Sequence, residues 1–321
     1  MPRSSSRALR ALLQLTPVIV VAALVGIAAS ESGGSGEGRM RKKDGLSGTV
    51  AIDGAAALRG MIDGAAQRFE RRNPSVRVTA GASGDESAIA IFCAGEVDIA
   101  AVARRLDRAE RRACRSSGTR YLPIEVAREG IALVVSERNG FASCLSNDQA
   151  RAIWRRADPV TSWAEIDPRF PDAELETVGW KPDSPPYTLL AEGLFGPVEP
   201  LTRNDYEVAG DAAELVATVV ASPDAVGYLP VGQIKRGAGV RPLALNTGRG
   251  CVTPTVDSVR DGSYPALSRP LYLDVRTESL RRPEPRRFVR EFLRGPRPIE
   301  NADGVISVPP SHRIYRKFTR P

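Results

Sequence analysis

Short β-branched runs alternate with helix-like stretches through most of this 321-residue chain, and that alternation restricts the fold more than any other feature. Residues 49–52 form a β-branched run before Gly54. Residues 58–71 read as a helix stopped by Asn73-Pro74, because a residue preceding proline is pushed out of the helical region. Residues 76–79 read as a second strand. Ser83-Gly84-Asp85-Glu86 has capping-box spacing and predicts a helix running through Ile91 and Phe92. A strand at 97–101 and a polar helix near 108–115 follow, then two strand-like runs, 121–126 and 131–136. The pattern restarts after Asn139-Gly140 with a helix near 147–156, a strand at 174–178 and a helix after Pro185-Pro186. A helix at 212–220 and strands at 225–229 and 240–245 complete this middle part. The last third adds a strand at 271–275 and an amphipathic helix near 286–293. Alternation in units of ~30 residues implies a parallel or mixed sheet. The fold class is therefore α/β: two mixed α/β lobes with a cleft between them, and ligand sites at helix N-termini facing that cleft.

The N-terminus is of a different kind. Arg3, Arg7 and Arg10 precede an apolar run at 11–29 broken only by Gln14, Thr16 and Pro17. A positive segment followed by such a run is an export signal, and it is nearly long enough to span a bilayer uncleaved, for which ~20 residues are needed. Either way the rest of the chain faces outward. Residues 1–30 are thus expected to be a signal peptide or membrane anchor, and 31–46 a Gly/Ser and charged linker. No Cys lies near the end of the apolar run, so a lipid-modified Cys is not expected. The formal charge is +7, nearly all of it Arg. It is spread along the chain without interleaved aromatics, which argues against nucleic acid as a partner. With one His, His312, and no CxxC, neither a zinc site nor any other cofactor is expected. No nucleophile motif is present either, so catalysis has no support.

Several short motifs, each weak alone, occur in one order. They are Val50-Ala51-Ile52-Asp53-Gly54, Phe92-Cys93-Ala94-Gly95-Glu96-Val97-Asp98-Ile99, Cys144-Leu145-Ser146 with Ile153-Trp154 and Trp163, Arg203-Asn204-Asp205-Tyr206, Val226-Gly227-Tyr228, Cys251-Val252-Thr253-Pro254, and Asp261-Gly262-Ser263-Tyr264-Pro265 with Leu267-Ser268-Arg269-Pro270-Leu271. Together they resemble the phosphate-binding proteins of bacterial ABC importers, which have the two-lobed type II periplasmic-binding fold. The resemblance runs from about residue 47 to the end. It implies two passages of the chain between lobes, near 136–141 and 246–254, giving lobe 1 as 47–137 plus 253–321 and lobe 2 as 138–252. It also implies hinge closure over a solute, docking on a membrane permease, and a monomer. Four Cys in an exported chain suggest two disulfides. The pairing Cys93–Cys114 with Cys144–Cys251 keeps each within one lobe, while buried free thiols are the alternative.

The ligand loops depart from what the resemblance implies. Phosphate held without metal needs converging helix amides, hydroxyls and an Arg. Where the family has G-S-S-T, this chain has Gly54 followed by Ala55, Ala56 and Ala57. Where it has S-G-T-G-G, the chain keeps Ser83 and Gly84 but places Asp85 and Glu86 on the helix turn. A-S-R becomes Val102-Ala103-Arg104, and D-S-G-T becomes Asp183-Ser184-Pro185-Pro186, whose prolines lack amide donors. The candidate ligand contacts are Ser83, Gly84, Asp85, Arg104, Ser184 and Arg203, with Ala55, Ala56, Ala57 and Ala103 as the degenerate positions. Each lost hydrogen bond to a charged ligand costs about 1.5–3 kcal/mol, and an ionised Asp85 ~4 Å from a dianion would repel it by several more. Asp85 and Glu86 also read as ordinary first-turn acids, Arg104 as part of a basic surface run, Arg203 as an inter-lobe ion-pair partner, Trp180 as packing and Lys181 as surface. Two functions stay open: a receptor for phosphate or a related oxyanion, and a diverged envelope protein with another ligand, a sensor role or an interaction role.

Overall fold

The computed structural model describes residues 45–196, 202–248, 250–295, 304–311 and 314; the export segment, most of the linker and His312 lie outside them. In the first part, β1 (Gly48–Gly54), α1 (Arg59–Arg72), β2 (Val76–Ala80), α2 (Asp85–Ala94), β3 (Ile99–Val102) and α3 (Arg108–Ser116) lead to the long strand β4 (Tyr121–Ser136). The middle runs β5 (Cys144–Ser146), α4 (Asn147–Trp154), α5 (Trp163–Ile166), β6 (Glu176–Trp180), α6 (Pro185–Phe195), β7 (Glu207–Ala209), α7 (Ala212–Ala221) and β8 (Ala225–Pro230). Then come β9 (Val240–Pro242), β10 (Ala244–Asn246), β11 (Cys251–Val252), α8 (Val256–Arg260), β12 (Ser268–Arg276), α9 (Pro283–Arg294) and β13 (Ile306–Ser307).

The main sheet has the order β2-β1-β3-β12-β4-β8-β6-β7. β1 runs parallel to β2 and β3, with Ile52 opposite Ala80 and Ile99. β12 and β4 enter antiparallel, and β8 carries the parallel β6. The mixed α/β expectation is met. The runs at 121–126 and 131–136 are one continuous strand, because Gly130 and its neighbours stay paired with β12 through a register shift at Leu271/Tyr272. The strand read at 240–245 is instead two, β9 and β10, broken at Leu243, whose amide bonds Leu133 O. The helix read after Ser83 opens at Asp85 with Gly84 as cap at φ 87° and no side-chain capping bond. Capping boxes form instead further on, between Asp107 and Glu110 at α3, Ser146 and Gln149 at α4, and Thr255 and Ser258 at α8.

Beside a smaller cluster of Phe92, Val102, Leu106 and Tyr272 around α2 and α3, two large cores flank this sheet. One gathers Ile52, Leu58, Phe69, Ile99, Val126, Leu271 and Phe288. The other gathers Leu133, Trp154, Trp163, Leu190, Tyr228 and Tyr264. Core membership changes between Ala127 and Ile131 on β4 and between Leu267 and Leu271 at the start of β12. Both changes fall at the paired strands β4 and β12. α1 buries Met61, Ile62, Ala65, Ala66 and Phe69 on one face, the spacing of an amphipathic helix, and Phe69 meets Phe288 of α9 edge-on at 5.4 Å. Trp154 packs edge-on against Tyr228 at 4.9 Å. Asp98, buried, accepts from Ala51 N, Ser279 Oγ and Arg282, so the Gly-Glu-Val-Asp run fixes β1 to the turn before α9.

Both disulfides are present, Cys93–Cys114 joining α2 to α3 and Cys144–Cys251 joining β5 to β11. Cys93 and Cys114 are buried whereas Cys251 is exposed and Cys144 half-buried. Thiolate exchange needs access to sulfur. Titration with a reductant followed by alkylation and peptide mass spectrometry should label Cys144 and Cys251 before Cys93 and Cys114. Loss of the Cys144–Cys251 bond, whose Cys are 107 residues apart, should cost about 2–4 kcal/mol of unfolding free energy.

Candidate functional site

A cleft of ≈ 790 Å³ is walled by the alanine turn at 55–57, the first turn of α2, residues 103–105 after β3, the start of α6, and Arg269-Pro270. Its walls come from both cores. Gly54 is required where β1 enters: a Cβ there would fall 1.7 Å from Ala101 O, and Ala55 N donates to that same oxygen at 2.7 Å. Asp53 Oδ1 accepts from Gly54 N at 2.7 Å and from Ser83 N at 3.0 Å. Gly84 N goes to Gly54 O at 3.1 Å. The loop amides nearest the alanine turn are thus engaged inside the protein.

The same holds for the third loop. Both Asp85 oxygens lie 3.1 Å from Ala103 N, and Arg104 Nε stands 3.9 Å from Asp85 Oδ2. Arg104 turns its fork on Glu110, with two bonds of 2.8 Å, and Glu110 also accepts from Asp107 N at 2.7 Å. Burial pushes the Asp85 carboxyl above the usual carboxylate range, against the Ala103 bond and the charges of Arg269 and Arg104. The bond to Arg104 holds Glu110 below that range.

At the opposite wall, α6 opens with Pro185 and Pro186. Of the four amides that a helix N-terminus leaves without intrahelical acceptors, two are therefore missing as donors. Ser184 occupies the cap position between lining residues Asp183 and Pro185, and its buried Oγ has no hydrogen-bond partner among the described residues. Asp183 holds φ 67°, in the left-handed region that Asp tolerates.

Ser83, Gly84, Asp85 and Arg104 meet at this cleft with Ala55, Ala56, Ala57 and Ala103. Arg203 does not. It is buried, donating to both oxygens of Asp205 and to Ile153 O and Val160 O, and it borders a separate hollow with Thr161 and Glu174. The Arg-Asn-Asp-Tyr motif satisfies Ile153 O near the end of α4 and Val160 O before α5, and its ion pair is local, from Arg203 to Asp205. Trp180 Nε1 donates to Tyr228 O, and Lys181 is exposed away from the lining. Three charged lining residues, Arg269, Glu192 and Arg105, were not anticipated. Arg269 donates to buried Glu129 at 2.6 Å and to Glu192, so β12 and α6 are joined across the cleft floor. Arg105 lies 4.4 Å over the Tyr272 ring. The Leu-Ser-Arg-Pro-Leu run carried a signal for Arg269; Glu192, one turn beyond Thr188 on α6, carried none.

Such a two-lobed α/β fold with its cleft at helix N-termini is that of a solute-binding protein. The model of the PBP superfamily domain matches residues 31–294, and the chain belongs to that superfamily. It is 28% identical over 263 residues to Protein SphX of Synechococcus elongatus, covering 81% of this chain and 77% of that one. It is 23% identical over 270 residues to the phosphate-binding protein PstS of Staphylococcus epidermidis, covering 83% and 79%. The crystal structure of a possible phosphate binding protein from Planctomyces limnophilus superposes with a TM-score of 0.74 at 26% identity, covering 85% of this chain and 96% of that one.

Asp274 lies behind the cleft on β12, 2% exposed. Burial, chiefly, raises its carboxyl to about 7, with Arg105 opposing and Asp85 adding to the rise. A folded-state value above the unfolded one means stability is full at low pH and is lost as pH rises through about 7. The melting temperature should fall as pH rises from about 4.5 to about 7 and level off above that, and Asp274→Asn should flatten much of that fall in a pH series of thermal melts. An unchanged slope would remove Asp274 from the account.

Proposed function

We propose that this chain is an extracytoplasmic solute-binding protein, a non-enzymatic receptor that takes phosphate or a related solute into the cleft and presents it to the permease of an ABC importer. One observation carries the reading: the cleft is walled by loops from both cores, so a bound solute bridges them and drives closure. The name of the phosphate-binding protein PstS, a relative, supports the phosphate part, and the resemblance of the sequence motifs to receptors of ABC importers supports the importer part. The export-type N-terminus supports an extracytoplasmic location, with residues 1–30 as signal or anchor. Lobe 1 is then the β1–α3 part with β12 and α9, and lobe 2 the part from the second half of β4 to α8. The protein works as a monomer without a cofactor.

A second reading is favoured by the carboxylates. Asp85, Glu86, Asp183 and Glu192 line the cleft, while of its arginines Arg104 and Arg269 are paired with carboxylates and Arg105 lies over the Tyr272 ring. That balance suits a neutral or amine-bearing solute.

Thermal shift of the protein against phosphate, sulfate, arsenate, amino acids and polyamines separates the two readings. A solute at 100-fold its Kd stabilises by about 2.7 kcal/mol, and small-angle scattering of the same sample should show a smaller radius of gyration as the lobes close. A stabilising solute with no compaction would contradict the receptor reading.

A further inference from the structure

We propose that the Asp85 carboxylate fills the oxyanion position of the cleft as a built-in competitor, which makes residue 85 the specificity determinant against free oxyanions. The proposal rests on the receptor reading for its biological meaning, and on the following geometry for its chemistry.

Three kinds of group hold an oxyanion without metal: a loop amide, a guanidinium and a helix N-terminus. Asp85 is placed against all three. Its two oxygens share Ala103 N at 3.1 Å, Arg104 Nε is 3.9 Å away, and the residue stands in the first turn of α2. Plain helix capping does not account for this arrangement. The cap position belongs to Gly84, and the Asp85 bond crosses to a residue 18 positions away on another element. A carboxylate tethered beside these donors competes as an intramolecular ligand, at an effective concentration that a free anion must overcome. Asp53 does the same one layer below, holding Gly54 N and Ser83 N.

An incoming phosphate must therefore displace Asp85 from Ala103 N, and it meets an ionised carboxylate within ~4 Å if it does not. Arg104 cannot answer both, because its fork is committed to Glu110. Several other charges also act on Asp85. Arg269 of β12 attracts, and Glu192 of α6 repels. Asp85 in turn acts on Glu129 of β4 and Asp274 of β12. Glu86 follows it on α2 and also lines the cleft. Lowering the pH neutralises the competitor, while sulfate keeps its double charge.

The test is isothermal titration of phosphate and of sulfate into the full-length chain in mild detergent, for wild type, Asp85→Ser, Asp85→Asn and Glu86→Gln. Asp85→Ser should bind both anions at least about tenfold tighter than wild type. Asp85→Asn, which keeps an acceptor but loses the charge, should fall between them, and Glu86→Gln should gain less than either. Wild-type affinity for sulfate should rise as the pH is lowered toward the titration of Asp85, more steeply than that of Asp85→Asn. If Asp85→Ser fails to fold by circular dichroism, Asp85→Asn and its pH slope carry the test. Equal affinity in wild type and the Asp85 variants overturns the proposal, and so does an equal gain from Glu86→Gln, which would mean a bulk charge effect. Failure of the receptor reading looks different. A solute panel that never stabilises or compacts wild type, beside a gain in Asp85→Ser, removes the receptor and leaves the competitor standing.

Discussion

The hydrogen bond from Ala103 N to the Asp85 carboxylate connects what is otherwise a set of separate departures from an anion pocket. Amides at loop ends and helix N-termini must find an acceptor, because a buried, unpaired N–H costs about 1–3 kcal/mol. In a receptor for a free anion, that acceptor arrives from solution. Here the amides of Gly54, Ser83 and Ala103 are already met by Asp53 and Asp85, and α6 begins with prolines that have no amide to offer. Arginine charge is spent in the same way, Arg104 on Glu110 and Arg269 on Glu129 and Glu192. The cleft keeps its shape while its donors are satisfied internally.

This internal pairing also suits a hinge. The two cores are joined by adjacent strands of one sheet, β4 and β12, so relative motion bends a continuous ladder. The Arg269–Glu192 contact ties β12 to α6 close to that ladder. Opening or closing the cleft must therefore stretch or preserve an ion pair with one buried neighbour, Glu129, whose carboxyl burial pushes up.

Much of the architecture was legible because the signals are local. Strand–helix alternation, the Asn73-Pro74 stop, and the cysteine pairing all depend on near neighbours or on which residues share a lobe. The places where reading failed are those set by distant partners. Ser83 has capping-box spacing, yet Gly84 adopts a positive φ and moves the helix start to Asp85. The two runs of β4 look separate until β12 is laid beside them. Arg203 sits in a motif that suggested the cleft, but carbonyls some 43 and 50 residues earlier claim it. Glu192 and Glu129 gave no warning, since an acid on a helix or strand names no partner. Asp85 was visible as a charge in the wrong place; that it reaches Ala103 depends on how α2 meets the end of β3.

The most direct measurement is a crystal structure of the protein grown with micromolar phosphate at neutral pH. The account predicts both Asp85 oxygens on Ala103 N, with no phosphate between the lobes. A phosphate at full occupancy accepting from Ala103 N, with Asp85 swung out toward solvent, would contradict it.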